Sequence, residues 1–109
     1  PIDADLVFDV RFLPNPYWVP ELRPKTGLSS DVASYVMAQA GATEFIDRVE
    51  QLLVGMAPGY LREGKKQVTV AVGCTGGKHR STAISEELST RLAARGHRTA
   101  VLHRDLGKE

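Results

Sequence analysis

The spacing of apolar residues changes several times along the chain, and each change marks an element. Leu6, Val7, Phe8, Val10, Phe12 and Leu13 form a nearly continuous apolar run, broken only by Asp9 and Arg11. Those two lie two positions apart, so an extended chain puts them on one face, and residues 6–13 read as a strand. Pro14, Pro16, Pro20 and Pro24 follow. Proline fixes φ and removes an N–H donor, so this stretch is expected to be an ordered loop rather than a helix or central strand.

Helical spacing begins after Ser29 and Ser30, either of which can cap a helix over residues 30–40 with Val32, Val36, Met37 and Ala40 on one face. Gly41 is its expected stop. Thr43 can cap a second helix striped by Phe45, Ile46, Val49, Leu52, Leu53 and Met56, which Pro58 and Gly59 should break or kink. Residues 67–73 are β-branched and increasingly apolar, as suits a strand inside a parallel sheet. A third helix is expected over residues 78–95, with Ile84, Leu88 and Leu92 four apart and Gly96 as its end. Residues 97–104 read as a last strand. This order predicts an α/β domain: a small, mostly parallel sheet of three to four strands, helices on both faces, and right-handed crossovers.

Composition narrows the picture without changing it. The 109 residues, 42% hydrophobic and 25% charged, fit one ordinary globular domain. There is no apolar run of the roughly 20 residues a membrane helix needs, and no signal peptide opens the chain. A start at Pro1 points to a piece of a longer protein. One cysteine, Cys74, allows no intramolecular disulfide or cysteine-based zinc site and suits a reducing cytoplasm. With 14 basic and 13 acidic residues the net charge is +1, so any anion site must be local.

That local site is the loop joining the 67–73 strand to the third helix: Gly73, Cys74, Thr75, Gly76, Gly77, Lys78, His79, Arg80, Ser81. Glycines let successive N–H groups turn toward one point. The helix start adds free N–H donors and a partial positive charge. Lys78, His79 and Arg80 oppose that partial charge and cost stability unless an anion offsets them, while Thr75 and Ser81 add hydroxyls. A phosphate dianion matches such a nest, and Arg80 could grip two of its oxygens. Cys74 and Arg80 also stand in the C-x5-R arrangement of cysteine-dependent phosphatases, in which a thiolate attacks phosphorus. Gly73 departs from the histidine usual there, and Asp9 is the only candidate acid, so the loop reads as a phosphate holder before a catalyst. The pattern G-x4-G-K-[ST] of a nucleotide-hydrolysing P-loop is absent.

Asp9, Val10, Arg11, Phe12, Leu13, Pro14, Asn15 and Pro16, then Leu22, Arg23, Pro24, Thr26, Gly27 and Leu28, then the loop from Gly73 to Ser81, together resemble the RapZ/YvcJ family, in its carboxy-terminal domain and over essentially the whole chain. The resemblance implies a fold similar to a phosphofructokinase subdomain. It also implies an amino-terminal P-loop domain, outside this chain, that binds and hydrolyses ATP or GTP. No cofactor is expected in the domain itself. In the enterobacterial branch the domain senses glucosamine-6-phosphate, binds small RNAs, presents RNA to RNase E and assembles as homo-oligomers.

By position, Cys74, Thr75, Gly76, Gly77, Lys78, His79, Arg80 and Ser81 would hold phosphate, and Asp9, Arg11, Asn15 and Tyr17 would face the sugar, or order the segment that does. Tyr17 stands where the enterobacterial branch has a histidine linked to metabolite sensing; a phenol keeps the hydrogen bond and loses the cation. A nucleotide sugar is a related ligand class. For RNA, the basic residues available are Lys65, Lys66, Arg95, His97, Arg98, His103 and Arg104, which equally suit a solvated face. Trp18 could stack on a base or sugar, although packing beneath the Pro-rich loop is the commoner arrangement.

Overall fold

A computed structural model describes residues 4–101. Two short strands, β1 (Leu6–Asp9) and β2 (Val70–Gly73), pair in parallel with Leu6 opposite Val70 and Asp9 opposite Gly73. Three helices, α1 (Ser30–Ala38), α2 (Ala42–Arg62) and α3 (Arg80–Ala94), complete the architecture. The fold is α/β, as expected, but among the described residues the sheet has two strands rather than three or four.

Each shortened element has a local reason. β1 stops at Asp9 because the Asp9 carboxylate accepts the Arg11 N–H at 2.9 Å and turns the chain. The apolar continuation that resembled strand instead plugs the interior, with Val10 and Leu13 almost fully buried. Thr69 precedes β2 without joining it; its N–H goes to the Asp5 carboxylate at 2.8 Å and its carbonyl accepts from Asp5 and Leu6. Residues 97–101 carry no strand, and 102–104, the rest of that expected element, lie outside the described residues.

The Pro-rich segment is an ordered loop with one 3-10 turn, Pro16–Trp18, whose first N–H donor, that of Tyr17, is accepted by Asn15 Oδ1 at 3.0 Å. α1 ends two residues short of Ala40, and Gly41, rather than Thr43, caps α2. α2 runs through Pro58 to Arg62 instead of breaking there. Pro58 is exposed, so its missing N–H falls on the solvent side of the helix, where the loss costs least.

Val32, Val36, Ala42, Ile46 and Val49 from α1 and α2 meet Ala83, Ile84 and Leu88 of α3, with Val10, Leu13 and Leu22 closing the core. A fully buried Ile such as Ile46 or Ile84 contributes about 1.5–3 kcal/mol relative to leaving it exposed. Phe8 turns to Phe45 of α2, ring centres 5.6 Å apart and edge to face. On the other side of β1, Val7 is 67% exposed, so one face of this strand is covered by helix rather than two. No described helix is long and apolar enough to cross a membrane.

Candidate functional site

Because Asp9 and Gly73 are in register, the segments that follow them leave the sheet side by side, and the Val10 N–H donates to the Gly73 carbonyl at 2.9 Å. In parallel sheets this carboxyl edge is where ligands sit. The loop after β2 turns through Gly76 and Gly77, whose φ angles of +79° and +66° are in the left-handed region that suits glycine. Thr82 Oγ1 donates to the Gly77 carbonyl at 2.9 Å and ties the loop back to the first turn of α3. That turn has no side-chain cap and no acidic residue. Its Ser81 N–H donates to Cys74 Sγ at 3.2 Å.

The two inward side chains of the loop are engaged differently from the sequence expectation. His79 is buried and its Nε2–H donates to the Leu22 carbonyl at 3.2 Å. Arg80 is only 5% exposed, and its Nη1 donates to the carbonyls of Arg11 at 3.0 Å and Leu13 at 2.9 Å. Its Nε is buried with no partner among the described residues. Arg80 therefore lies across the ends of both strands and braces the turn after β1, rather than standing out as an open fork.

Ser81 is buried beside it; Cys74, Gly77 and Lys78 are half-buried; Thr75 and Gly76 face solvent. Gly27 locks the Pro-rich loop against this corner, its N–H donating to the Lys78 carbonyl at 2.9 Å. Nothing in the hydrophobic pattern marks Gly27, Leu22 or the carbonyls of Arg11 and Leu13 as parts of this corner, because backbone acceptors leave no trace in residue identity.

Asp9 and Arg11 form an ion pair at the same edge, Arg11 Nε reaching Oδ2 at 2.8 Å and Nη2 reaching it at 2.6 Å. The pair is exposed. Hydrogen bonds from the Arg11 side chain, then from its backbone, hold the Asp9 carboxyl below its ordinary range, and the charge of Arg80 adds to this. Asn15 caps the 3-10 turn. Tyr17 carries the Arg23 guanidinium 4.6 Å above its ring, and Arg23 Nε donates to the Tyr17 carbonyl at 2.8 Å. Trp18 is not packed beneath the loop: it is 74% exposed, edge-on to Tyr17 at 5.3 Å.

Of the basic residues considered for RNA, Lys65 pairs with Asp5 and Arg95 with Glu50. Lys66, His97 and Arg98 are exposed, and His103 and Arg104 lie outside the described residues. No three His, Cys, Asp or Glu side chains gather as metal ligands among the described residues.

Residues 1–107 match the family model of the RapZ C-terminal domain. The chain is 99% identical over all its 109 residues to a nucleotide-binding protein of Cutibacterium acnes, of which it covers 38%. It is 67% identical, again over its whole length, to a nucleotide-binding protein of Streptomyces coelicolor, covering 36% of that protein, and 61% identical to one of a Nocardioides species, covering 36%. The chain thus spans somewhat more than a third of the curated relatives it matches. By the family model, and by the loop and Pro-rich segment that pack into one corner, this chain belongs to the family of RapZ carboxy-terminal domains.

Proposed function

We propose that this is a regulatory ligand-binding domain that takes a phosphorylated amino sugar such as glucosamine-6-phosphate, or a related nucleotide sugar, at the loop of residues 73–81. The observation that carries this reading is Arg80. It is a buried guanidinium at the positive end of a helix, with two carbonyl partners and, among the described residues, an unpartnered Nε and no carboxylate bonded to it. A buried charge without a bonded counter-charge costs several kcal/mol, and the Asp9 carboxylate acts on this one only at a distance. An oxyanion seated on the amides of Gly76 to Ser81 offsets it without having to touch it, since unit charges 4 Å apart interact by about 4 kcal/mol in a partly polarisable surface site.

The exposed Asp9 carboxylate at the same edge gives a sugar amine a partner. In the longer protein the domain would report ligand occupancy to a cytoplasmic nucleotide-binding P-loop part, acting as a homo-oligomer. Small-RNA binding is the second reading, supported only by exposed Lys66, His97 and Arg98. Phosphatase chemistry at Cys74 is less well supported, because Arg80 is spent on bracing carbonyls rather than facing a reacting phosphorus.

Isothermal titration with glucosamine-6-phosphate, a UDP-sugar and inorganic phosphate tests the reading. Saturable heat with at least one of them is the expected result, lost on Arg80→Ala. No heat with any of the three overturns it.

A further inference from the structure

Trp18 stands where packing gives a large apolar side chain no reason to be. It is 74% exposed, beside a Tyr17 that is 45% exposed, the two rings perpendicular with centroids 5.3 Å apart. Burying an indole stabilises a fold, yet here the backbone holds it outward. Asn15 accepts the Tyr17 N–H with its side chain at 3.0 Å and the Trp18 N–H with its carbonyl at 3.2 Å, and the Val19 N–H donates to the Pro16 carbonyl at 2.9 Å. Arg23 joins the same cluster. Its guanidinium lies 4.6 Å from the centre of the Tyr17 ring, its Nε donates to the Tyr17 carbonyl at 2.8 Å, and it forms no ion pair among the described residues. Two aromatic rings are thus held in the open with a positive charge fixed beside them. The loop that carries them is fastened at both ends to the start of α3, the Leu13 carbonyl accepting from Arg80 and the Leu22 carbonyl from His79. Trp18 is four residues from Leu22, and four residues of chain span at most about 14 Å, so its backbone stays close to the loop of residues 73–81.

We infer that Tyr17, Trp18 and Arg23 form a stacking platform for the base of a nucleoside diphosphate, free or linked to a sugar, whose phosphates reach the loop of residues 73–81. The inference rests on the phosphate-binding reading above and selects, within it, the nucleotide-linked ligand over the simple sugar phosphate. Every base has a π face, so an exposed indole holds one without reading its edge. The Arg23 guanidinium supplies a cation for the diphosphate between base and loop. A turn already fixed by Pro14, Pro16 and the Asn15 bonds has little freedom left to lose when the base docks. A protein-docking surface would use the same aromatic residues, but its centre is depleted of charge. Here Glu21, Arg23 and Lys25 follow the aromatic pair, all exposed.

Trp18 is the only tryptophan of the chain, so its fluorescence reports on the platform alone. The test titrates UDP, ADP, GDP, inorganic phosphate, glucosamine-6-phosphate and a short oligoribonucleotide, exciting at the red edge of indole absorption, where nucleotides do not absorb. Calorimetry gives the affinities in parallel. The expected result is saturable quenching by at least one nucleoside diphosphate and none by phosphate or the sugar phosphate. That nucleotide should bind at least about tenfold tighter than inorganic phosphate, the scale of one stacked base. Trp18→Ala, a change at an exposed side chain, should remove the gain and leave phosphate affinity unchanged, and Trp18→Phe should restore most of it. Nucleotides that bind no tighter than phosphate, or that tighten without altering Trp18 fluorescence, overturn the platform while leaving the anion site standing. So does an affinity that Trp18→Ala leaves intact. Quenching by the oligoribonucleotide at lower concentration than by any mononucleotide overturns the small-molecule assignment in favour of RNA. Absence of binding by every probe, phosphate included, overturns the anion reading itself, and the platform with it.

Discussion

Arg80 and Arg91 stand on the same helix about three turns apart, and their surroundings are opposite. Arg91 lies in the last turn of α3, where the macrodipole favours a cation. Three carboxylates answer it: Asp47, Glu50 at 3.4 Å and Glu87 at 3.1 Å. Those bonds, Asp47 foremost, raise its pKa. Arg80 opens the helix, where the macrodipole opposes it, is far more buried, and bonds only to neutral carbonyls. One arginine is complete within the chain and fastens α2 to α3. The other keeps an unpartnered Nε among the described residues, and on the function proposed above that asymmetry separates a structural cation from a binding one.

The comparison breaks most sharply under mutation. Arg80→Ala strands the buried Leu13 carbonyl and the part-buried Arg11 carbonyl and is expected to cost about 2–4 kcal/mol of stability. It should also abolish the rise in Tm with phosphate, which for the parent chain at about 100 times Kd corresponds to about 2.7 kcal/mol. Arg91→Ala should lower the melting temperature while keeping the phosphate-induced rise intact. Thermal melts of both variants with and without phosphate decide it; a phosphate-induced rise that survives Arg80→Ala would erase the distinction between the two arginines.

Next in size is the clamp that holds the Pro-rich loop on the Arg80 corner. A Cβ on Gly27 would lie 2.5 Å from the His79 carbonyl oxygen, closer still to the Ala83 nitrogen, and 2.9 Å from Thr82 Cβ. These are helix backbone and a first-turn side chain, with little freedom to yield. Gly27→Ala is expected to cost about 3 kcal/mol and to weaken phosphate binding, because α3 and the loop must part. Denaturant unfolding with an unchanged midpoint would show that the loop is not clamped there.

The contrast also shows what the sequence could reveal. The helices were legible from their apolar stripes because burial at Val32, Val36, Ile46, Ile84 and Leu88 follows the 3.6-residue period. The loop of residues 73–81 was legible from its glycines and crowded cations. The run from Leu6 to Leu13 misled because burial, not strand pairing, selects Val10 and Leu13, and an Asp9 side chain ends the strand where hydrophobicity continues. Pro58 misled because its cost depends on which side of α2 its missing bond faces. The partners of His79 and Arg80 are main-chain carbonyls, so their direction was invisible; a basic run reads the same whether it opens outward or braces a neighbouring turn. Trp18, expected to be packed, is exposed because its 3-10 turn holds it outward, edge-on to Tyr17.

At the structural end of α3, acid should act gradually. Hydrogen bonds from Arg95, then Arg91, hold the Glu50 carboxyl below its ordinary value of 4.5. Its folded-state pKa is therefore lower than its unfolded one. The stability it lends is full above about 4.5 and is lost as the pH falls through the lower, folded value. The parent chain should lose stability more steeply below that pH than Arg91→Met, in which part of the network is already absent. Parallel slopes for the two in pH-dependent melts would show that the network adds nothing.

The smallest effect belongs to the exposed edge of the proposed anion site. The side chains of Asp9 and Arg11 are 53% and 65% exposed, and water screens such a pair, so Asp9→Asn should leave the melting temperature unchanged. Its consequence falls on ligand choice. If the Asp9 carboxylate receives a sugar amine, the variant loses preference for glucosamine-6-phosphate over glucose-6-phosphate by about fivefold, the scale of one screened ion pair, while affinity for inorganic phosphate stays the same. Because Arg11 and Arg80 both favour the ionised form of Asp9, that preference should not weaken as the pH falls toward the usual carboxylate range. A variant that discriminates the two sugars as well as the parent would assign Asp9 to ending β1 and bracing Arg11, and would move sugar recognition away from this edge, toward Tyr17 and Trp18.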